Sequence, residues 1–403
     1  MLNATELKEC LACGSSHLTQ VLDLNNQPLA NSFIKDIEAH EDVFPLTLNL
    51  CTKCSHLQLS HAVNPDLLFK NYLYVSGTSQ TLKDYFDWFA KFTLNYVEDP
   101  QNVLDIACND GTQLNSFKEL GMTTYGIDPA TNLHPLSSIN HDVICDYLTR
   151  DHVEYLHSQR LDIINAQNVF AHNSYPLEFL KICKDIMHNE SVLFIQTSQA
   201  DMVKNNEFDT IYHEHLSFFN ANSMQALATR AGLNLIDIIK TPIHGNSYVF
   251  VFSKTAMPRE SVAKMLDEER KLGMQDNQTY IEYAEKAKKV VTDLKEVIER
   301  YRKNGFKIVG YGAAAKGNTL LNFGHIELNF IIDDNPLKQG LFAPGMHTPV
   351  LSIDSLNQIP LDVDILFVPL AWNFYTEIRD RIKTVRDNKY DVFVKYFPTI
   401  SIN

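Results

Sequence analysis

Apolar and polar positions follow two rhythms along this chain, and the switches between them divide it. Residues 79–96 carry helical spacing. From residue 102 an apolar strand runs into an acidic residue and a small-residue turn, and a helix with Leu114, Phe117 and Leu120 follows. A second strand occupies 123–128. Strand 161–168, helix 176–187, strand 191–197 and helix 223–231 continue the alternation, the last stopped by Gly232. Strands 233–240 and 247–254 close it. Strands separated by helices predict an α/β domain with a mainly parallel sheet. Residues 257–303 are highly charged, with Ala287, Val290, Leu294, Ile298 and Tyr301 at helical spacing, and read as an amphipathic spacer packed across its two neighbours. Beyond it, residues 306–319 form a strand, a glycine turn and a helix start. Strands at 328–333 and 363–369 complete a second, smaller α/β domain.

The turns carry the candidate chemistry. In doubly wound sheets, ligands bind at the carboxyl ends of the strands, where Asp105, Asp128 and Asn168 fall, with His172 shortly after. Asp128 follows the first turn by about 20 residues, the place of a ribose ligand in such folds. That first turn is not G-x-G-x-x-G: only Gly111 remains, with Ala107 and Asn109 at the other positions. A turn so poor in glycine suits a ligand with no pyrophosphate to cradle. S-adenosylmethionine is one, and a sheet closed by two successive strands has the order of a class I methyltransferase. A dehydrogenase reading is weaker for the same reason. In the last domain Gly310, Gly312 and Gly317 permit close backbone approach, and Lys316 beside them favours an anion, a nucleotide or its diphosphate.

Composition narrows the class. The 403 residues are 45% hydrophobic and 21% charged, an ordinary globular balance with room for two or three domains. A net charge of −14 argues against a nucleic-acid surface. No stretch has the length of a membrane span. The first twenty residues carry Glu6, Lys8, Glu9 and two cysteines where a signal peptide has an apolar run, so a cytoplasmic protein is expected. Seven cysteines in such a compartment are thiols or metal ligands. Cys10-x-x-Cys13 and Cys51-x-x-Cys54 are two knuckles separated by an extended, β-rich insert, and paired thiolates from tight turns suit tetrahedral, structural zinc. Cys108, Cys145 and Cys183 are isolated and read as small buried residues.

One stretch between the two ligand-binding folds gathers reactive groups: Tyr212, His213, Glu214 and His215 are consecutive. Alone, such a cluster is more readily a solvated loop or a helix start, and it misses the spacing of a zinc helix.

Taken together these residues resemble the bacterial sugar C-methyltransferases that act on carbon 3 of TDP-4-keto-deoxysugars. The resemblance rests on the paired cysteines, Asn-Asp-Gly-Thr at 109–112, Asn-Val-Phe-Ala-His at 168–172 and Asp-Thr-Ile-Tyr-His-Glu-His-Leu-Ser at 209–217. It continues through Pro-Ile-His-Gly at 242–245, Gly-Tyr-Gly-Ala-Ala-Ala-Lys-Gly-Asn-Thr at 310–319 and Lys-Gln-Gly at 338–340. It implies a zinc module (1–70), a class I S-adenosylmethionine-dependent core (71–255), a helical linker (256–305) and a Rossmann-like nucleotide-sugar domain (306–403). It implies His215 as general base, Tyr212 and His172 as enolate or sugar contacts, Glu214 as an orienting group, and Tyr72 and Tyr74 at the border of the active site. Asp105, Ala107, Asn109, Gly111, Asp128 and Asn168 would hold the cofactor, and Tyr72, His244, Asn246, Tyr311, Lys316 and Asn318 the nucleotide sugar. A monomer without nucleic-acid or membrane partners is expected. Two departures stand out: Asn246 and Phe218 replace the family's usual glycine and tyrosine. An O- or N-methyltransferase, or a silent sugar-nucleotide binder, are the alternatives. The presence of Tyr212, His172 and His215 argues against the second.

Overall fold

The computed structural model describes residues 3–69, 76–78, 80–198, 201–243 and 246–403. Two compact units emerge, neither of them a continuous stretch of chain. The first comprises Met1–Thr19, Asn49–Ala200 and Glu214–Asn277; the second comprises Gln20–Leu48, Asp201–His213 and Gln278–Asn403.

The first unit is built on a seven-stranded sheet. Its order is Asn234–Thr241, Ser247–Ser253, Val192–Ser198, Ile163–Gln167, Asn102–Ile106, Thr123–Ile127, Asp142–Ile144. Ser247–Ser253 runs antiparallel to both neighbours and the remaining pairs are parallel. This is the class I methyltransferase sheet expected from the alternation of elements. Its central strands are apolar along nearly their whole length because both faces are covered. Ile164, Ala166, Leu193 and Ile195 face a core shared with the helices Pro176–Ile186 and Ala221–Ala231. Ile163, Val192 and Phe194 face the helix Gln80–Thr93, whose Leu82, Tyr85, Phe86, Phe89 and Ala90 form one buried stripe. Phe89 meets Phe117 and Phe194 edge-on, each pair with ring centres about 6 Å apart.

The charged spacer is two helices, Glu260–Lys271 and Asn277–Lys303, where one amphipathic run had been expected. Gly273, with φ 70°, breaks it. The first helix belongs with the first unit, where Val262 joins its core. The second carries the predicted stripe of Ala287, Val290, Leu294 and Ile298, with Tyr280 and Tyr283 buried on the turns before it.

The second unit has a six-stranded sheet in the order Val350–Leu351, Phe330–Ile332, Lys307–Tyr311, Ile365–Pro369, Val392–Lys395, Ser401–Ile402. It is parallel except at the last pair. Residues between the two cysteine knuckles pack into this unit: Asn318 Nδ2 donates to the Ala30 carbonyl at 2.6 Å, and Ile34 bridges Phe342.

Candidate active site

The four knuckle cysteines converge in the first unit, with all sulfurs within 4.8 Å of one another. Cys10 and Cys54 Sγ are 3.6 Å apart, and Cys13 and Cys51 Sγ are 3.5 Å apart. Zinc–sulfur bonds of about 2.3 Å set tetrahedral sulfurs roughly 3.8 Å apart, so the arrangement fits the ion. Each knuckle closes in the same way. The residue after its second cysteine, Gly14 or Ser55, takes a left-handed conformation and donates its N–H to the carbonyl of the first, Cys10 or Cys51. Without a cation the thiols compete for protons. The hydrogen bond from Cys54 pulls Cys10 down to about 4, whereas burial pushes Cys51 up to about 11. A dication removes that conflict. Side chains of the core grip both turns: Asn220 Nδ2 donates to the Ser55 carbonyl at 2.7 Å and Arg230 Nη1 to the Ala12 carbonyl at 2.6 Å. Neither grip was visible in the sequence, since each partner lies more than a hundred residues away.

The turn after Asn102–Ile106 winds through left-handed residues at Ala107, Asn109 and Gly111. Asp128 closes it: Oδ2 accepts from the Asn109 N–H at 2.9 Å and Oδ1 from the Ala130 N–H at 2.8 Å. Burial pushes Asp105 well above the usual carboxylate range, and the charges of Asp128 and Asp110 push it further. Asp128 is raised too, first by burial. Three carboxylates repelling one another in a shielded turn favour a cationic ligand and disfavour a phosphate. Asp110, inside the Asn-Asp-Gly-Thr motif, has no role that the sequence alone assigns. Its Oδ1 accepts from the Thr112 N–H and hydroxyl, and its Oδ2 from the Gly77 N–H at 2.9 Å. A Cβ on Gly77 would lie 2.6 Å from that Oδ2, so only glycine permits the approach.

At the next strand end Asn168, with φ 53°, donates its N–H to Gln196 Oε1 at 2.9 Å. His172 follows on a short 3-10 turn, and its Nδ1 lies 2.6 Å from the Glu214 carbonyl. A ring nitrogen against a carbonyl carries the proton, so neutral His172 is the Nδ1–H tautomer. Burial pushes its pKa down, against the carbonyls of Glu214 and Asn168. The His172 and His215 rings lie 5.2 Å apart, and Leu216 N–H bonds the Ala171 carbonyl, holding the two segments together. Glu214 and His215 are buried. The chain leaves the second unit between His213 and Glu214. Tyr212 is half-buried on the other side of that boundary, and His213 Nε2 there lies 3.2 Å from the Phe44 carbonyl. Asn246 is half-buried with φ 119°, a conformation suited to glycine. Tyr72, Tyr74 and His244 lie outside the described residues.

In the second unit, Gly312 with φ 93° turns the chain after Lys307–Tyr311. Asp333 closes this turn, accepting from the Ala313 and Asn335 N–H groups at 2.7 and 2.9 Å. Lys338, from the Lys-Gln-Gly triplet, donates to the Ala313 carbonyl at 2.7 Å. Tyr311 bonds Asp334 and Arg381. Lys316 Nζ sits 5.2 Å from the Trp372 ring centre; burial pushes the Glu207 and Asp209 pKa values up, and the Lys316 charge opposes that rise. Its charge is therefore shared with two carboxylates, which the glycine motif did not reveal. Asn318 is 1% exposed, and its Nδ2 donates to the Ala30 carbonyl.

Three family models match in succession. They are described as "Putative zinc binding domain" (residues 10–69), "Methyltransferase domain" (78–238) and "C-methyltransferase C-terminal domain" (242–398). The chain is a methyltransferase similar to the C-methyltransferases. The C-methyltransferase NovU of Streptomyces niveus is 29% identical over 95% of this chain and 94% of its own length. A ubiquinone biosynthesis O-methyltransferase of Glaesserella parasuis is 29% identical over 26% of this chain and 50% of its own. Among solved structures, a SAM-dependent methyltransferase from Archaeoglobus fulgidus aligns with 43% of this chain and 94% of its own at 16% identity and TM-score 0.34. The N1-methyltransferase for 1,6-didemethyltoxoflavin from Burkholderia thailandensis, solved with S-adenosylhomocysteine, covers 45% of this chain and 81% of its own at 14% identity and TM-score 0.34. This methyltransferase uses S-adenosylmethionine and carries zinc in its cysteine module. No helix among its described residues is long and apolar enough to cross a membrane.

Proposed function

We propose that this enzyme methylates carbon 3 of a nucleotide-linked 4-keto-deoxysugar, with TDP as the nucleotide. The observation that carries the reading is the pair of neighbouring imidazoles, half-buried His172 and buried His215, at the strand end beside the acidic turn. A carbon acceptor must first become a nucleophile. A ketone at carbon 4 makes the proton on carbon 3 removable, and an imidazole has the pKa range to remove it.

S-adenosylmethionine, when bound, supplies the electrophilic methyl. The chain's own groups do the rest. Asp105, Ala107, Asn109, Gly111 and Asp128 hold the cofactor at the acidic turn, and Asn168 meets it from the next strand end. His215 takes the carbon 3 proton. Tyr212 donates to the developing enolate oxygen. Neutral His172 spends its only N–H on the Glu214 carbonyl, so Nε2 accepts a hydrogen bond, from a sugar hydroxyl or from the neighbouring imidazole, and does not donate to the enolate. Glu214 thereby orients His172 through its backbone. Tyr72, Tyr74, His244 and Asn246 border the sugar. The C-terminal turn, with Tyr311, Lys316 and Lys338, serves the nucleotide diphosphate, and a monomeric cytoplasmic enzyme fits this role.

The test is incubation with labelled S-adenosylmethionine and a panel of TDP- and GDP-4-keto sugars, with NMR of the product. Label on oxygen or nitrogen overturns the reading. His215→Asn should lower turnover by about 10²–10⁴-fold, the usual contribution of a general base. In deuterated water with a non-methylating cofactor analogue, wild type should exchange the carbon 3 proton and the variant should not. Equal exchange would pass the role of base to His172 or Tyr212.

A further inference from the structure

We propose that Gln196 and Gln167 read the acceptor at the reacting end, and that they select one presenting oxygen there over one presenting an ammonium group. The inference rests on the sugar reading above. Gln196, near the end of the strand Val192–Ser198, is in parallel register with Gln167 on Ile163–Gln167, so the two side chains lie next to each other on one face. That face is covered by the helix Gln80–Thr93, and Tyr85 of the helix donates its hydroxyl to Gln167 Oε1 at 3.2 Å.

Amide orientation is fixed at Gln196. Its Oε1 accepts the Asn168 N–H, which only an oxygen can do, so Nε2 is the group that points onward. Nε2 is buried and has no partner, and Gln167 Nε2 is in the same state. Gln196 is 0% exposed. Leaving one buried donor unmet costs a protein about 1–3 kcal/mol, and here two such donors lie side by side. Groups held at that cost await an acceptor.

The sheet order tells which molecule supplies it. Adjacent strands lie about 4.8 Å apart, so Gln196 stands roughly 10 Å across the sheet from the Asp105 strand and farther from Asp128. The acidic turn takes the cofactor, and the strand end carrying Asn168 and His172 lies between. A ligand meeting the two amides is therefore the one that faces the cofactor across His172. Two N–H donors match a hydroxyl or carbonyl oxygen. A protonated amine, which only donates, would leave both unmet and repelled.

The probes are a TDP-4-keto-6-deoxyhexose with a hydroxyl at carbon 3 and the same sugar with an amine there. The isosteric variants Gln196→Glu and Gln167→Glu keep the acceptors for Asn168 and Tyr85 but replace each free donor with an acceptor. Wild type should prefer the hydroxyl sugar in kcat/KM. Each variant should shift the hydroxyl-to-amine ratio by at least about 10-fold toward the amine, mainly through KM, with S-adenosylhomocysteine affinity by calorimetry within about twofold of wild type. A purely structural role would lower both sugars equally and leave the ratio fixed. Either that result or a wild-type preference for the amine overturns the proposal and shows that the amides hold only water. If wild type methylates neither sugar on carbon, the sugar reading itself falls and takes this one with it.

Discussion

Asn220 performs two tasks with one side chain, and separating them tests how the zinc module is held. Its Oδ1 accepts the Ser223 N–H at 2.8 Å and caps the helix Ala221–Ala231, while its Nδ2 holds the Ser55 carbonyl of the second knuckle at 2.7 Å. Asn220 and Ser55 are both buried. Asn220→Ala removes both. A lost cap costs about 1 kcal/mol, and a buried carbonyl left unmet costs about 1–3 kcal/mol, so the variant should lose roughly 2–4 kcal/mol. Asn220→Ser retains a capping oxygen and should lose only the second part. Asn220→Asp also retains the cap but turns a carboxylate toward the Ser55 carbonyl, so it should release zinc faster than Asn220→Ser. The assays are urea unfolding of zinc-loaded protein and the rate of zinc transfer to a chromogenic chelator. If Asn220→Ser matches wild type in both, water replaces the amide and the helix does not hold the knuckle.

Asn246→Gly should relieve a backbone held at φ 119°, where non-glycine residues pay about 1–3 kcal/mol, less the roughly 0.5–1 kcal/mol of extra chain freedom that glycine loses on folding. The melting temperature should rise by a few degrees, and an unchanged or lower value would mean that Asn246 is not strained. For His213, burial pushes the pKa down from 6.5 to about 4, against the carbonyls of Phe44 and Pro45. A base depressed in the folded state contributes stability above its unfolded pKa and loses it as pH falls toward the folded value. Between pH 7 and pH 5 this group should therefore cost the fold about 2 kcal/mol. His213→Gln should reduce the acid-induced drop in urea midpoint, and an identical drop would refute the assignment.

The strands were legible because burial on both faces makes them near-continuous apolar runs bounded by turns. The cysteine spacing was legible because zinc needs its ligands in pairs. What escaped was whatever depends on a distant partner. A glycine motif at 310–319 cannot say that Asn318 turns its amide to Ala30, or that Lys316 shares its charge with Glu207 and Asp209. Gln196 left a weak trace, a polar residue late in an apolar strand, but its free amide is defined only once Asn168 lies against it. The insert between the knuckles read correctly as extended. Its packing with Phe342 and Asn318 had no local signature.

The two nucleotide-type turns are one device with different charges. Ala107 N–H meets the Ile127 carbonyl and Gly312 N–H the Ile332 carbonyl, both at 2.7 Å. Asp128 N–H reaches the Ile144 carbonyl as Asp333 N–H reaches that of Leu351, and each aspartate then closes its turn through two backbone N–H groups. On this match Asp105 falls where the second turn has Gly310. The first turn thus gathers Asp105, Asp110 and Asp128, whose mutual repulsion a cation relieves. The second closes on Asp333 and sets an ammonium, Lys338 Nζ, 3.9 Å from it, while Asp334 pairs with Arg381. Burial pushes the Lys338 pKa down while Asp333 holds it up, so an anion arriving at this turn would strengthen the charged form. Similarly closed turns with opposed electrostatics suit a sulfonium donor at the first and, on the function proposed above, a diphosphate at the second.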